Sequence, residues 1–123
     1  MPLKQPVKRK SRPLDKALSG NYNIIMDGIV FEWDENKNTI NKRKHGISFE
    51  EAQTVFYDVE ALVIDDIEHS EDEERFIILG LSARANLLIV CHCYRASESI
   101  IRIISARKAT TTETKQYNGG CSR

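Results

Sequence analysis

Four apolar runs in the second half of the chain set its pattern. Residues 61–65, 76–81, 87–94 and 100–106 are rich in Ile, Val and Leu and short enough to be strands. The connections at 82–86 and 95–99 are of turn length, so successive strands should be antiparallel hairpin neighbours. Before them the period is helical. Ser48-Phe49-Glu50-Glu51 is a capping box, in which the Ser48 hydroxyl accepts from the Glu51 amide and the Glu51 carboxylate reaches back. Phe49, Ala52, Val55 and Phe56 then share a face, with Ile47 stapled against Ala52. An earlier, polar helix is expected from an Asp34 cap to Lys44, closed by Gly46, although Asn36, Asn38, Thr39 and Asn41 are weak helix formers. Residues 29–33 fit a short strand or the lead-in to that helix. A closing helix over 109–117 has Thr110 or Thr111 near its cap and Gly119-Gly120 after it. This order predicts an α+β domain, with two N-terminal helices and a C-terminal helix on one face of a four-stranded antiparallel sheet.

At 123 residues the chain is expected to hold one domain with a core that needs no staples. The division expected is a poorly ordered basic extension over 1–25, a folded domain over 26–118 and a flexible tail over 119–123. No apolar run approaches the roughly 18 residues of a membrane span, so no membrane association is expected. Three cysteines, Cys91, Cys93 and Cys121, are an odd number with no secretory segment before them, which points to a reduced, cytoplasmic setting.

Charge sharpens the picture. The formal net charge is zero, yet residues 75–108 carry Arg75, Arg84, Arg95, Arg102, Arg107 and Lys108 against Glu98 alone. The preceding residues 58–74 hold nine acids and no Lys or Arg. Basic residues set into apolar strands are costly to bury unless something anionic meets them, so the strand block reads as an anion site. Arg84 and Arg95 fall at turns, with ordinary solvated roles. The cluster Lys8-Arg9-Lys10 resembles a nucleic-acid-binding arm, but a solvated extension is the plainer reading. Glu71-Asp72-Glu73-Glu74 reads as a solvated loop, because contiguous like charges lack the interleaving of a calcium site.

Cys91-His92-Cys93 suggests a metal, but strand alternation turns His92 away from the two cysteines and no second ligand pair exists at zinc spacing. No metal and no cofactor are expected. Alternation also groups His92 with Leu88, Val90 and Tyr94. It groups Arg102 with Ile100 and Ile104, and Arg107 with Ile101, Ile103 and Ser105. Arg102 and Arg107 therefore face opposite ways unless a bulge intervenes.

Phe31-Glu32-Trp33-Asp34-x-x-Lys37, Asn41-x-x-Lys44-His45-Gly46 and Ser48-Phe49-Glu50-Glu51-Ala52 form a distinctive series. It continues through Glu73-Glu74-Arg75-Phe76, Gly80-x-Ser82, Leu88-x-Val90-x-His92 and residues 101–109 to Glu113 and Tyr117. In this order and spacing it resembles the BrnT family, toxins of type II toxin–antitoxin modules. The resemblance implies a RelE-like fold and a metal-independent endoribonuclease. It also implies neutralisation by a BrnA-like antitoxin of the ribbon-helix-helix type, which carries the complex to operator DNA and represses the operon. RNA supplies its own 2′-hydroxyl nucleophile, so the protein must position the backbone, assist proton transfer and stabilise phosphoryl charge. On that basis Arg107 and Arg75 are assigned to phosphate and transition-state stabilisation. His92 is the first choice for acid/base work and Lys44-His45 the second, while Lys44, His45, Arg102 and Lys108 are assigned to RNA binding. The alternative is a catalytically inactive co-repressor that keeps the fold.

Overall fold

A computed structural model describes residues 21–26, 28–65, 75–95 and 99–121. The chain runs β1 (Asn21–Met26), β2 (Ile29–Asp34), α1 (Glu35–His45) and a single-turn helix α2 (Phe49–Ala52) that tightens into a 3-10 turn (Gln53–Tyr57). It continues through β3 (Leu62–Asp65), β4 (Phe76–Leu81), β5 (Leu87–Arg95) and β6 (Ile100–Lys108) to α3 (Thr111–Cys121). Among the described residues no helix is long and apolar enough to cross a membrane. The basic arm and the acidic run Glu71–Glu74 lie outside the described residues, and β1 straddles the division expected at residue 25.

The α+β class holds, but the sheet is larger than expected and it is mixed. Six strands lie in the order β1-β2-β6-β5-β4-β3, with β2 parallel to β6 over Val30–Glu32 and every other pair antiparallel. The added pair is a hairpin in which Met26 faces Ile29 across Asp27-Gly28. Gly28 has φ +83°, a backbone state that glycine enters without penalty and that such tight hairpins require. The helices are also not all on one face. α1 and α2 cover one side of β6 and β2, whereas α3 meets side chains of the opposite side.

The core lies between the sheet and the first two helices. Phe31, Trp33, Phe49, Val55, Leu88, Val90, Ile103 and Ala106 are all buried there. The polar helix α1 is held by specific bonds rather than by an apolar stripe. Asn38, fully buried, accepts from the Phe49 amide at 2.8 Å and donates to Glu35 and Glu50. Asn41 donates to the carbonyls of Ile47 at 2.9 Å and Ala106 at 2.7 Å, and accepts from the Ala106 amide. Parallel pairing to β2 stops at Arg102, so Asn41 supplies the strand-like partner that Ala106 otherwise lacks. The capping box is half formed. Ser48 accepts from the Glu51 amide, but the Glu51 carboxylate accepts from Ser82 at 2.6 Å and Asn86 at 2.8 Å, tying α2 to the β4–β5 turn.

One irregularity decides the placement of the arginines. Cys91 pairs with Ser105 and His92 with Ile103, so Ile104 is an extra residue, a bulge in β6. Ile101, Ile103 and Ala106 then face the core, while Arg102, Ser105 and Arg107 face the other way. The strict alternation that separated Arg102 from Arg107 is overturned by that single residue.

Candidate functional site

Arg107 stands near the end of β6, opposite Ile89 on β5, on the sheet face away from α1 and α2. Its guanidinium meets Glu113 end-on, Nη1 to Oε1 at 2.9 Å and Nη2 to Oε2 at 3.0 Å, and Nη1 also donates to the Lys108 carbonyl at 3.2 Å. Glu113 is itself fixed by the start of α3. Its Oε1 accepts from the Thr110 amide at 2.8 Å, and its own amide donates to the Thr110 hydroxyl at 3.1 Å, a reciprocal capping box. The two charges support each other. The Arg107 bond holds the Glu113 carboxyl down to about 2, and the Glu113 bond raises Arg107 above its usual range.

The geometry of this pair leaves something over. A guanidinium has five N–H donors, of which Glu113 and Lys108 take three. The remaining two, on Nε and the outer side of Nη2, project in parallel from one edge. That edge is the fork that engages a phosphate bidentately. With 40 % of the side chain exposed, it is open to an incoming anion.

Three further basic residues gather near this end of β6. Lys108 follows Arg107 and is exposed, sharing the face of Ala106 by register. Asn41 pins α1 to Ala106, and Lys44 and His45 follow on the next turn of that helix, both exposed. Gly46, at φ +74°, ends the helix there and its amide donates to the Lys42 carbonyl at 2.9 Å. Arg107 thus leaves one face of the sheet, while Lys108 and the end of α1, with Lys44 and His45, belong to the other.

Arg75 and Arg102 belong to the other end of the same sheet face. Arg102 lies opposite Cys93 and donates to Glu32 at 2.8 Å, while Arg95 approaches the same carboxylate at 3.6 Å. Arg95 is therefore part of an ionic cluster rather than a purely solvated turn residue. Arg75 precedes Phe76, whose partner is His92, so alternation places Arg75 on the Arg102 side. Four residues of β5 separate the level of Arg102 from that of Arg107, about 13 Å along the strand. Arg75 and Arg107 do not grip one phosphate.

His92 occupies a different environment again. It has no exposed surface and is packed among Phe56 at 4.7 Å, Tyr94 at 5.5 Å and Phe76 at 6.1 Å between ring centroids. Its Nδ1 lies 3.2 Å from the Val90 carbonyl, and its buried Nε2 has no hydrogen-bond partner. Burial pushes its pKa down to about 4, so the ring is neutral near pH 7. An acid/base group must reach its proton, and this ring is sealed on the helix-packed side.

Sequence reasoning missed the part played by Glu113, although Thr110-x-x-Glu113 carries the capping-box pattern that would have revealed it. It also missed Glu32 as the counter-ion of Arg102. α3 has a second anchor in Tyr117, whose hydroxyl donates to Asp58 at 2.7 Å, while Asp58 accepts from the Leu81 amide at 2.8 Å.

Comparison with known proteins identifies the family. Residues 33–113 match the family described as "Ribonuclease toxin, BrnT, of type II toxin-antitoxin system". Among solved structures, the Brucella abortus ribonuclease toxin BrnT is similar, with 26 % sequence identity and a TM-score of 0.50. The similarity covers 64 % of this chain and 94 % of the Brucella chain. No curated protein sequence matches the chain. The match spans well over half of the residues and takes in Arg75, His92, Arg107 and Glu113, so the chain belongs to the BrnT family of ribonuclease toxins of type II toxin–antitoxin systems, whose members have an antitoxin partner.

Proposed function

We propose that this chain is an endoribonuclease that works without a metal and cuts RNA at the C-terminal end of β6. The observation that carries the reading is the Arg107 fork left open beside Glu113. Arg107 binds the scissile phosphate and stabilises the charge that builds on its oxygens as the neighbouring 2′-hydroxyl attacks. Glu113 holds the fork in place, so little reorganisation is needed when the charge develops. Lys44 and Lys108 bind the adjoining backbone, and His45 replaces the sealed His92 as the group for proton transfer. Arg102 and Arg75, further along the same sheet face, hold the continuing strand.

The same reading makes the protein cytoplasmic. It is neutralised by a BrnA-like antitoxin with a ribbon-helix-helix domain, and the complex represses its own operon through operator DNA. The test is induction of the chain alone. Growth should arrest and cellular RNA should be cut, with Arg107→Ala relieving both at equal soluble protein. Normal growth and intact RNA with folded wild-type protein would overturn the ribonuclease reading.

One observation favours a second reading, an inactive co-repressor. Glu113 already neutralises Arg107, which is also what a purely structural ion pair would do. In that case the toxin–antitoxin complex shifts operator DNA while RNA stays untouched by the purified chain, and Arg107→Ala lowers only stability.

A further inference from the structure

The cross-strand row that ends in Arg107 is apolar along the rest of its length. Arg107 lies opposite Ile89, Ile89 opposite Leu79 and Leu79 opposite Leu62, so all four side chains leave the same face of the sheet. Ile64 and Ile77 face each other in the next row on that side. These five apolar residues, with Glu113 and Gln116 of α3, line a cavity of about 230 Å³. No step of the proposed chemistry uses it. Glu113 touches both the Arg107 guanidinium and the cavity, so the two are neighbours.

Size and lining define what fits. Neighbouring strands lie about 4.8 Å apart, so Ile89 and Leu79 stand one and two spacings from Arg107. That is the reach of one nucleotide from its phosphate to its base. The volume falls below the roughly 300 Å³ at which drug-sized pockets begin, and suits one flat ring system packed on aliphatic side chains. The polar groups come from α3, where Glu113 and Gln116 are one helical turn apart on the same side. Gln116 is exposed, and its amide offers both donors and an acceptor. Glu113 offers acceptors only. Arg107 and the Thr110 amide occupy three of its roughly four lone-pair positions, which leaves one on Oε2.

We propose that the cavity is a nucleobase site, which takes the base of the nucleotide held at Arg107 and favours adenine or cytosine over uracil. A base in single-stranded RNA can splay away from its neighbours and pack its ring faces on apolar side chains. Gln116 and the remaining Oε2 position of Glu113 then meet its edge. Adenine and cytosine present an amine donor there, beside a ring nitrogen that accepts from the Gln116 amide. Uracil presents a carbonyl oxygen to the carboxylate and is rejected, because neither group can donate. The base site deepens the ribonuclease reading and rests on it for the RNA phosphate at Arg107. Gln116 becomes a residue that selects where the strand is cut.

The test is binding of the full chain to short single strands with 2′-deoxy riboses, which lack the nucleophile and cannot be cut. Oligo-A, oligo-C, oligo-U and an abasic strand of equal length separate the base from the phosphate. Oligo-A and oligo-C should bind about tenfold more tightly than oligo-U, as one bidentate edge contact allows. Methyl signals of Ile77, Leu79 and Ile89 should shift on adding oligo-A and stay in place with the abasic strand. Gln116→Ala, at an exposed position, should bring oligo-A within roughly twofold of oligo-U. Arg107→Ala should weaken every strand, the abasic one included, by a similar factor. Equal affinity for oligo-A and oligo-U, or methyl signals unmoved by oligo-A, would overturn the base site. Where binding still depends on Arg107, that result leaves the ribonuclease reading standing. Failure of all four strands to bind would also overturn the base site. Conversely, an adenine preference erased by Gln116→Ala in a chain that cuts no natural RNA supports the base site and sinks the ribonuclease reading.

Discussion

Asn41 and Ala106 are joined by a two-way hydrogen bond, the amide side chain donating to the strand carbonyl at 2.7 Å and accepting from its N–H at 3.2 Å. A helix side chain thus does the work of a neighbouring strand at the point where β2 no longer reaches β6. It also fixes α1, and with it Lys44 and His45, relative to Arg107.

Asn41→Ala should therefore be among the more damaging polar substitutions in the chain. It leaves the Ala106 amide and the Ala106 and Ile47 carbonyls short of partners in a buried setting, which costs roughly 3 kcal/mol. Chemical denaturation should show that loss with little change in the denaturant slope. Asn41→Asp should lose nearly as much, because a carboxylate cannot donate to the two carbonyls.

His92 should give the fold a pH dependence in one direction. Its pKa falls from 6.5 to about 4 on burial, so between those values the unfolded chain binds a proton that the folded chain refuses. Stability is fully present above pH 6.5, declines as pH falls through the window and levels off below 4. The whole shift corresponds to about 3 kcal/mol at most. His92→Phe should flatten the difference in stability between pH 7 and pH 5, and RNA cleavage by the folded variant should stay within a few-fold of wild type. A large loss of cleavage with unchanged stability would restore His92 to the chemistry. Glu113 acts in a lower window, since its stabilisation is lost only as pH falls from 4.5 toward 2.

The strands were legible where composition alone decides them. The apolar runs that form β3 to β6 have few alternatives at their length, and the turns that join β4, β5 and β6 are short. Of the β1–β2 hairpin only the second strand was expected, as one of two readings of residues 29–33, although Asp27-Gly28 between Ile24-Ile25 and Ile29-Val30 is an ordinary hairpin signal. The bulge at Ile104 is of another kind. Ile100, Ile101, Ile103 and Ile104 are interchangeable to any rule of alternation, and only packing against His92 and Cys91 selects which is extra. The same limit applied to His92. Its residue type suggests proton transfer, while its surroundings of Phe56, Phe76 and Tyr94 are assembled from three different elements. Asn38 and Asn41 look like poor helix residues until their partners, 11 and 65 positions away, come into view.

Arg107 should be the most sensitive position for cleavage. Arg107→Ala removes the donors aimed at the phosphate and should lower the single-turnover rate on RNA by on the order of 10²- to 10³-fold. Arg107→Lys keeps the charge but loses the fork, and should recover only part of the rate. If Lys restores full activity, point charge rather than bidentate geometry is what the site needs.

His45 and metal independence can be tested in one experiment on the purified chain. His45 is exposed at the end of α1, and in the proposed mechanism His45→Ala should slow cleavage by about 10²-fold at saturating RNA. Lys44→Ala should instead raise the RNA concentration needed for half-maximal rate, because a phosphate contact that is equal in ground and transition states affects binding alone. Both rates should be unchanged in excess EDTA, since the proposed site stabilises phosphoryl charge with Arg107 rather than with a bound cation. Loss of activity in EDTA with recovery on adding a divalent ion would overturn the metal-free mechanism. An unchanged rate for His45→Ala would leave cleavage to positioning and charge, with the 2′-hydroxyl proton passing to solvent.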